Sequence, residues 1–391
     1  MAIRDLRGYA VLDAVFEPGP QLVWGANAAG KTSLLEAIVL LAWGRSHRTS
    51  TEGEIVRWGQ ELARIEARVG PPDAAPEDRN TVEVALVRTA TGGARKRIRV
   101  NGVARRAASL HGVLRTVMFA PEEMLLVAGS PSLRREALDT LAAQRSPAYA
   151  RDLSTYGRAL AQRNGLLRAI REEHATRAEL RFWDQALLDA GTAVREERQN
   201  LLRALEGPLA AAHAEIAPDE AAAGRLTVSY ATNAPQGPGE SVRDALVRRL
   251  AETADKEVWN GTTLVGPHRD DLVFEMGGRP LASFASRGQQ RTAILAFKLA
   301  EVDLLTALDG RPPLLLLDDV FSELDPERRS HLVRRISELP QAFVTTTTLD
   351  DLDVALRSVG TAWAVTSGPD GTARLTREAS ARQDEDPAEG R

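Results

Sequence analysis

The stretch Gly25-Ala-Asn-Ala-Ala-Gly-Lys-Thr32 constrains this chain more than any other. It satisfies the pattern G-x-x-x-x-G-K-[ST] at each fixed position. It also stands between Gln21-Leu-Val-Trp24, which reads as a short buried strand, and Ser33-Leu-Leu-Glu-Ala-Ile-Val-Leu-Leu41, which reads as an apolar helix. Strand, glycine-rich loop and helix in that order form an anion cradle. The glycines let successive backbone N–H groups turn inward, and the helix aims the positive end of its dipole at the same point. Lys31 is then expected to reach the β- and γ-phosphates of a nucleotide, and the Thr32 hydroxyl to ligate Mg²⁺. The expected phosphate-binding residues are Gly25, Ala26, Asn27, Ala28, Ala29, Gly30, Lys31, Thr32 and Ser33.

A second segment completes such a site. Leu314-Leu-Leu-Leu-Asp-Asp319 is an apolar strand ending in two carboxylates, and it is expected to lie beside the strand that feeds the loop. Asp318 would hold Mg²⁺ through water. Asp319 suits either a general base or a solvated strand end.

Composition narrows the setting. With 391 residues the chain can bury a large core in two or three lobes. It has no cysteine, which excludes disulfides and thiolate chemistry. The N-terminus lacks an apolar signal core, and no apolar run approaches the ~20 residues of a membrane span, so a soluble cytoplasmic protein without a membrane partner is expected. The net charge of −4 means that nucleic-acid binding would need a local basic patch.

Along the chain, residues 63–69 and 81–87 alternate apolar and polar side chains as half-exposed strands do, and 97–103 reads as a strand entering an Asn-Gly turn. These segments predict an antiparallel lobe. Residues 132–216 are rich in Ala, Leu, Arg and Glu and predict helices, with breaks at Pro147 and Gly165. After a Pro/Gly loop at 235–239 the chain returns to α/β order: a long helix over 282–308, the LLLLDD strand, a helix over 327–339 and a strand over 342–346. The resulting division is 1–130 for the first part of a nucleotide-binding head, 131–220 for a helical arm, 221–366 for the second part of the head and 367–391 for a disordered tail.

The order of the later motifs is informative. Ser286-Arg-Gly-Gln-Gln-Arg291 opens a helix, the LLLLDD strand follows, and Ser322-Glu-Leu-Asp325 comes next. This succession resembles the signature, Walker B and D-loop series of ABC-type ATPases. The large insert between Lys31 and Asp318 resembles that of the DNA-repair branch of the superfamily. Further strings are similar to the RecF family: Leu35-Glu-Ala-Ile, Ser46-His-Arg-Thr49, Phe119-Ala-Pro-Glu-Glu, Ser130-Pro-Ser-Leu-Arg-Arg-Glu-Ala-Leu-Asp139, Gly266-Pro-His-Arg-Asp-Asp-Leu272 and Leu315-Leu-Leu-Asp-Asp-Val-Phe-Ser-Glu-Leu-Asp325.

The resemblance implies a Rad50-like, ABC-type α/β head with an antiparallel β lobe and an inserted helical arm. It implies a bacterial recombinational-repair protein that binds ATP and Mg²⁺ and hydrolyses ATP slowly, with Lys31 and Asp319 as catalytic residues. ATP would bridge a homodimer, with Ser286, Arg287, Gly288 and Gln289 of one protomer closing on the nucleotide of the other. DNA at single-strand/double-strand junctions, and duplex DNA, would be the ligand. RecR and RecO would be partners, favouring RecA loading at gaps.

The chain departs from the pattern at Ala28-Ala29, where a methyl at position 28 restricts the loop, and it offers no evident Q-loop glutamine or switch histidine; Thr345 to Thr348 occupy the latter region. The alternatives are a transporter nucleotide-binding subunit, an SMC-like chromosome protein, or a nuclease of the overcoming-lysogenization-defect type. Arg95, Lys96, Arg97, Arg99, Arg105 and Arg106, or Arg45, His47 and Arg48, or Arg151, Arg158 and Arg163, stand as alternative phosphate contacts or solvated faces. His268 and Arg269 have either a structural or an ATP-sensing part.

Overall fold

The computed structural model describes residues 1–71 and 74–378. The chain forms two compact units, Met1–Pro121 with the chain from Leu305 onward, and Glu122–Leu304.

The first unit begins with β1 (Ala2–Leu6), β2 (Tyr9–Asp13), β3 (Gly19–Trp24) and α1 (Lys31–Trp43). It continues through β4 (Leu62–Val69), β5 (Asn80–Arg88), β6 (Ala94–Val100), β7 (Val103–Arg105) and β8 (Thr116–Phe119). Six of these strands build an antiparallel sheet in the order β2-β1-β4-β5-β6-β7. The Asn-Gly reading holds: Asn101 (φ 51°) and Gly102 (φ 76°) are both left-handed, as a type I′ turn requires, and Val100 pairs with Val103 across it.

The second unit is a continuous insertion. It contains α2 (Pro131–Arg145), α3 (Pro147–Arg171), α4 (Leu180–Ile216), α5 (Pro218–Ala223), β9 (Leu226–Ala231), α6 (Val242–Asn260), β10 (Asp271–Met276), β11 (Arg279–Pro280) and α7 (Leu281–Phe284). Then α8 (Arg287–Asp309) crosses the boundary between units. The 37 residues of α4 make it about 55 Å long. It tolerates Pro208 at the cost of one ladder bond. Strands β9, β10 and β11 form an antiparallel sheet within this unit.

The first unit closes with β12 (Leu314–Asp318), α9 (Pro326–Ser337), β13 (Gln341–Thr346), α10 (Val354–Val359), β14 (Thr361–Ser367) and β15 (Ala373–Arg377). The second sheet runs β15-β14-β3-β13-β12-β8, parallel except for β15. Helix α1 is buried at every residue but Thr32, because it lies between the two sheets. Its leucines share one apolar cluster with Ile3, Ile65 and Val84 of the antiparallel sheet and with Val23, Leu316 and Phe343 of the parallel one. That is why its sequence is apolar all round and lacks a polar stripe.

Five expectations are corrected. First, β12 does not lie beside β3; β13 is inserted between them, because its run Ala342-Phe-Val-Thr-Thr346 is buried on both faces and suits a central strand. Second, Gly165 does not break a helix. It sits inside the 25-residue α3 with open space around it, and one interior glycine costs only about 1 kcal/mol there. Third, residues 221–304 belong to the inserted unit with the arm, since β9 and β10 pair with each other in a sheet separate from the head's. Fourth, the chain beyond Ser367 continues into β15, whose Ala373–Arg377 pairs residue by residue with β14. The remainder of the expected tail, from residue 379, lies outside the described residues. The long helix over 282–308 is in fact two, α7 and α8, separated at Ala285-Ser286.

Candidate nucleotide site

The loop between β3 and α1 needs its glycines for different reasons. A Cβ on Gly25 (φ 154°) would lie 2.2 Å from the Val365 carbonyl oxygen, so only glycine passes. Gly30 (φ 120°) caps α1 with no side chain, which leaves the first N–H groups of the helix pointing outward without an intramolecular cap. Ala28 adopts φ 63°, a left-handed conformation that costs an L-residue about 1–2 kcal/mol. The methyl noted in the sequence therefore does not prevent the loop conformation; it strains it. Ala29 turns inward and is buried in the core cluster. The Tyr9 hydroxyl donates to the Gly30 carbonyl at 3.2 Å and pins the end of the loop, and burial pushes that phenol above its usual pKa.

Lys31 folds back on this loop. It is 7 % exposed, and its Nζ donates to the carbonyls of Gly25 (2.6 Å) and Ala26 (3.0 Å). Burial pulls its pKa down, opposed by the charges of Asp319 and Asp318. The loop lysine and the acidic pair therefore share one electrostatic environment, although β13 separates their strands by two inter-strand spacings, roughly 10 Å. Asp318 is buried, and the Thr345 hydroxyl donates to its Oδ1 at 2.6 Å. Asp319 takes a left-handed φ of 53° and donates its N–H to Thr345 Oγ1 at 3.0 Å.

The two donors expected from the sequence, the Thr32 hydroxyl and the Asp318 carboxylate, are both oxygens. Among the described residues no group of three or more His, Asp or Glu side chains forms a closed metal cage. A sparse set of oxygen donors of this kind would suit Mg²⁺, which keeps several waters and takes its other ligands from substrate phosphates.

Glu36 has no role in the motifs read from the sequence, yet it is a buried charge in α1. It is 0 % exposed in the middle of α1. Arg7 donates to it from Nε (2.8 Å) and Nη2 (2.9 Å), Ser46 Oγ donates at 2.5 Å, and Arg48 lies 3.6 Å away. Burial alone would push this carboxyl up. The Arg7 and Ser46 hydrogen bonds and the two arginine charges outweigh it and hold the carboxyl below its usual range. The strings Leu35-Glu-Ala-Ile and Ser46-His-Arg-Thr49 thus meet at one ion pair. A lone glutamate in an otherwise apolar helix was the signal that pointed to it.

In the second unit Ser286 and Gln289 form a reciprocal capping box at the start of α8: Gln289 N–H donates to Ser286 Oγ at 3.2 Å, and Ser286 N–H donates to Gln289 Oε1 at 3.0 Å. Ser286 and Arg287 are exposed, and Gly288 is half-buried in the first turn.

The Gly-Pro-His-Arg-Asp-Asp string is knitted into the same unit. The Tyr156 hydroxyl donates to His268 Nδ1 at 2.5 Å, because His268 Nε2 faces the Thr263 carbonyl at 3.1 Å and carries the ring proton. Burial pushes the His268 pKa down to about 4, against the Thr263 carbonyl and with help from Arg269, Arg135 and Arg163. Arg134 makes a bidentate pair with Asp271 (2.7 and 2.8 Å), and Arg135 donates to the Asp270 carbonyl at 2.8 Å. Arg198 pairs with Asp139 and donates to the Pro267 carbonyl at 2.7 Å. His268 is therefore a structural member of a buried network.

The basic candidates separate. Arg163 is buried against Glu257 and Asp184 (2.7 Å each) and is no surface contact. Arg48 is committed to Glu36. Arg95, Arg97 and Arg99 are exposed and alternate along β6, so they share one face about 6.8 Å apart. That face continues across β5 to Arg64 in β4 through the row Arg97–Ala85–Arg64.

Residues 1–366 match the family described as the RecF/RecN/SMC N-terminal domain. The chain is 40 % identical over 367 residues to the DNA replication and repair protein RecF of Herpetosiphon aurantiacus, covering 90 % of this chain and 93 % of that one. It is 37 % identical over 366 residues to the RecF protein of Bacillus subtilis, covering 92 % and 96 %. Among solved structures, the recombination mediator protein RecF-ATPrS of the RecFOR pathway superposes with a TM-score of 0.84 at 30 % identity, covering 97 % of both chains. An Smc head bound to the C-terminal winged-helix domain of ScpA shares the fold at a TM-score of 0.52 and 14 % identity.

Proposed function

Because this chain belongs to the RecF family of DNA replication and repair proteins, we propose that it is an ATP-gated DNA clamp of recombinational repair. The observation that supports this most directly is the parallel strand order β3-β13-β12, which brings the phosphate loop with Lys31 and the strand ending at Asp318 to the same end of one sheet. In this reading Lys31 exchanges the Gly25 and Ala26 carbonyls for the β- and γ-phosphates of ATP. The N–H groups of residues 26–33 surround those phosphates. Thr32 and Asp318 hold Mg²⁺, whose charge offsets that of the phosphates, and Asp319 orients the attacking water. An aspartate there reaches one methylene less than a glutamate would, which fits slow hydrolysis.

The start of α8 supplies the other half. Ser286 and Gly288 present a hydroxyl and backbone N–H groups on an exposed helix N-terminus. Closing on the γ-phosphate held by a second protomer, with Arg287 and Gln289 beside them, they would make ATP the bridge of a two-fold dimer. By linkage, ATP then promotes dimerisation only as far as it binds the dimer better than the monomer. The exposed face carrying Arg95, Arg97 and Arg99 is the proposed phosphate contact for duplex DNA and for junctions with a single strand. RecR and RecO are the proposed partners.

Sedimentation with and without Mg-ATP and gapped DNA tests the clamp. Wild-type protein should dimerise with ATP, while Lys31→Met and Ser286→Arg stay monomeric. A protein that binds ATP and DNA yet remains a monomer would refute the bridged dimer.

A further inference from the structure

The C-terminal end of β13 touches both halves of the nucleotide site. The Thr346 carbonyl accepts the N–H of Gly25, the first residue of the phosphate loop, at 3.3 Å. One residue earlier, Thr345 is fully buried and serves the acidic pair. Its single hydroxyl proton goes to Asp318 Oδ1 (2.6 Å), and one lone pair accepts the Asp319 N–H (3.0 Å). A hydroxyl has one proton and two lone pairs, so both bonds form together without competition. As a β-branched residue on a central strand, Thr345 has little χ1 freedom, and the direction of its hydroxyl is set by the sheet.

Each bond constrains something the site needs. The first holds one oxygen of Asp318, Oδ1, and does not engage the other. The second ties down the backbone of Asp319 at φ 53°, where few L-residues sit unaided. We propose that Thr345 is the positioning residue of the acidic pair, fixing the Asp318 carboxylate for a hydrated divalent cation and holding the Asp319 turn. The inference rests on the nucleotide-site reading above. It deepens that reading by adding a neutral, buried side chain that touches neither phosphate nor metal. Serine keeps the function because its hydroxyl can make both hydrogen bonds, which then hold the rotamer that the β-branch otherwise favours; valine, equal in shape, loses it.

The test uses the full chain and a fluorescent ATP analogue, with affinity measured in Mg²⁺ and again in EDTA. The ratio of the two isolates the cation's contribution, which a merely structural residue would leave alone. Losing a hydrogen bond to a charged group corresponds to about a ten- to hundredfold change. Thr345→Val should lower the Mg²⁺-dependent gain by that factor while leaving affinity in EDTA within about twofold of wild type. Thr345→Ser should retain the gain. Where Thr345→Val does not fold, Thr345→Ala, which crowds nothing, is read in the same way. Asp318→Asn runs in parallel. If Asp318→Asn loses the gain but Thr345→Val keeps it, the positioning inference is overturned and the site reading survives. If Asp318→Asn keeps it, the cation is held elsewhere and both fall.

Discussion

Removing Arg7 should cost this protein more than any surface arginine, and the loss should depend on pH in a stated direction. Glu36 is completely buried, and Arg7 is its bidentate partner through a side chain that is 21 % exposed. Breaking a buried ion pair by deleting one partner costs about 3–5 kcal/mol. Here water reaches the gap left by Arg7, and Ser46 and Arg48 remain beside the carboxylate, so Arg7→Ala is expected to lose about 2–3 kcal/mol. Replacing both partners, in Arg7→Ala with Glu36→Leu, removes the stranded charge from an otherwise apolar helix; the coupling between the two changes should reach about 1.5 kcal/mol or more.

The assay is urea denaturation followed by tryptophan emission, with α1 ending at the buried Trp43. The folded pKa of Glu36 lies below its ordinary value of 4.5. Its contribution is therefore complete above about pH 4.5 and vanishes as pH falls through the lower folded value. The difference between wild type and Arg7→Ala should shrink over that window. A loss below about 0.5 kcal/mol at pH 7, or one that persists unchanged in acid, would refute the reasoning.

Three further outcomes follow from the geometry. Ala28→Gly relieves left-handed strain of about 1–2 kcal/mol but frees the unfolded chain by about 0.4–1 kcal/mol, so thermal melting should show a small net gain; a loss would mean the Ala28 methyl makes contacts that matter. Gly266→Ala places a Cβ 2.4 Å from the Tyr156 hydroxyl oxygen at φ 128°, and should destabilise the inserted unit by about 3–5 kcal/mol. Adding Tyr156→Phe should recover part of that loss, and no recovery would place the cost in the backbone alone. Replacing Arg95, Arg97 and Arg99 together with glutamine should flatten the slope of log affinity for duplex DNA against log salt by about 2.7, or 0.9 per phosphate contact; an unchanged slope would move the DNA to another face.

Local chemistry was legible in the sequence, and long-range pairing was not. The phosphate loop, the LLLLDD strand and the Asn-Gly hairpin announce themselves because each is decided by neighbours within a few residues. The place of β13 does not: Val344 pairs with nearby Leu317 on one side, but with Leu22, more than 300 residues away, on the other. The same holds for residues 221–304, which are assigned to the head until β9 and β10 are seen to pair with each other in a sheet of their own. Thr345 stood in a run of four threonines with nothing to distinguish it. What separates it from Thr346 is only which side of the sheet carries the acidic pair. Glu36 was legible and passed over, since a carboxylate in an apolar helix demands a partner. The partner is supplied by a hairpin turn 29 residues earlier, where Arg7 takes a left-handed φ of 49°.

The placement of β3 has a consequence for the protein during its synthesis. Its two neighbours in the sheet, β13 and β14, are both encoded more than 300 residues downstream. While a nascent chain emerges from its N-terminus, the phosphate-loop strand must wait unpaired until residues 341–367 have been made. The antiparallel sheet, whose strands all precede residue 106, has no such delay. A ribosome that stalls within the insertion therefore releases a product with a finished β lobe and no nucleotide site. On the proposed reading, competence to bind ATP waits for β13 and β14 and is acquired only after the insertion has been made.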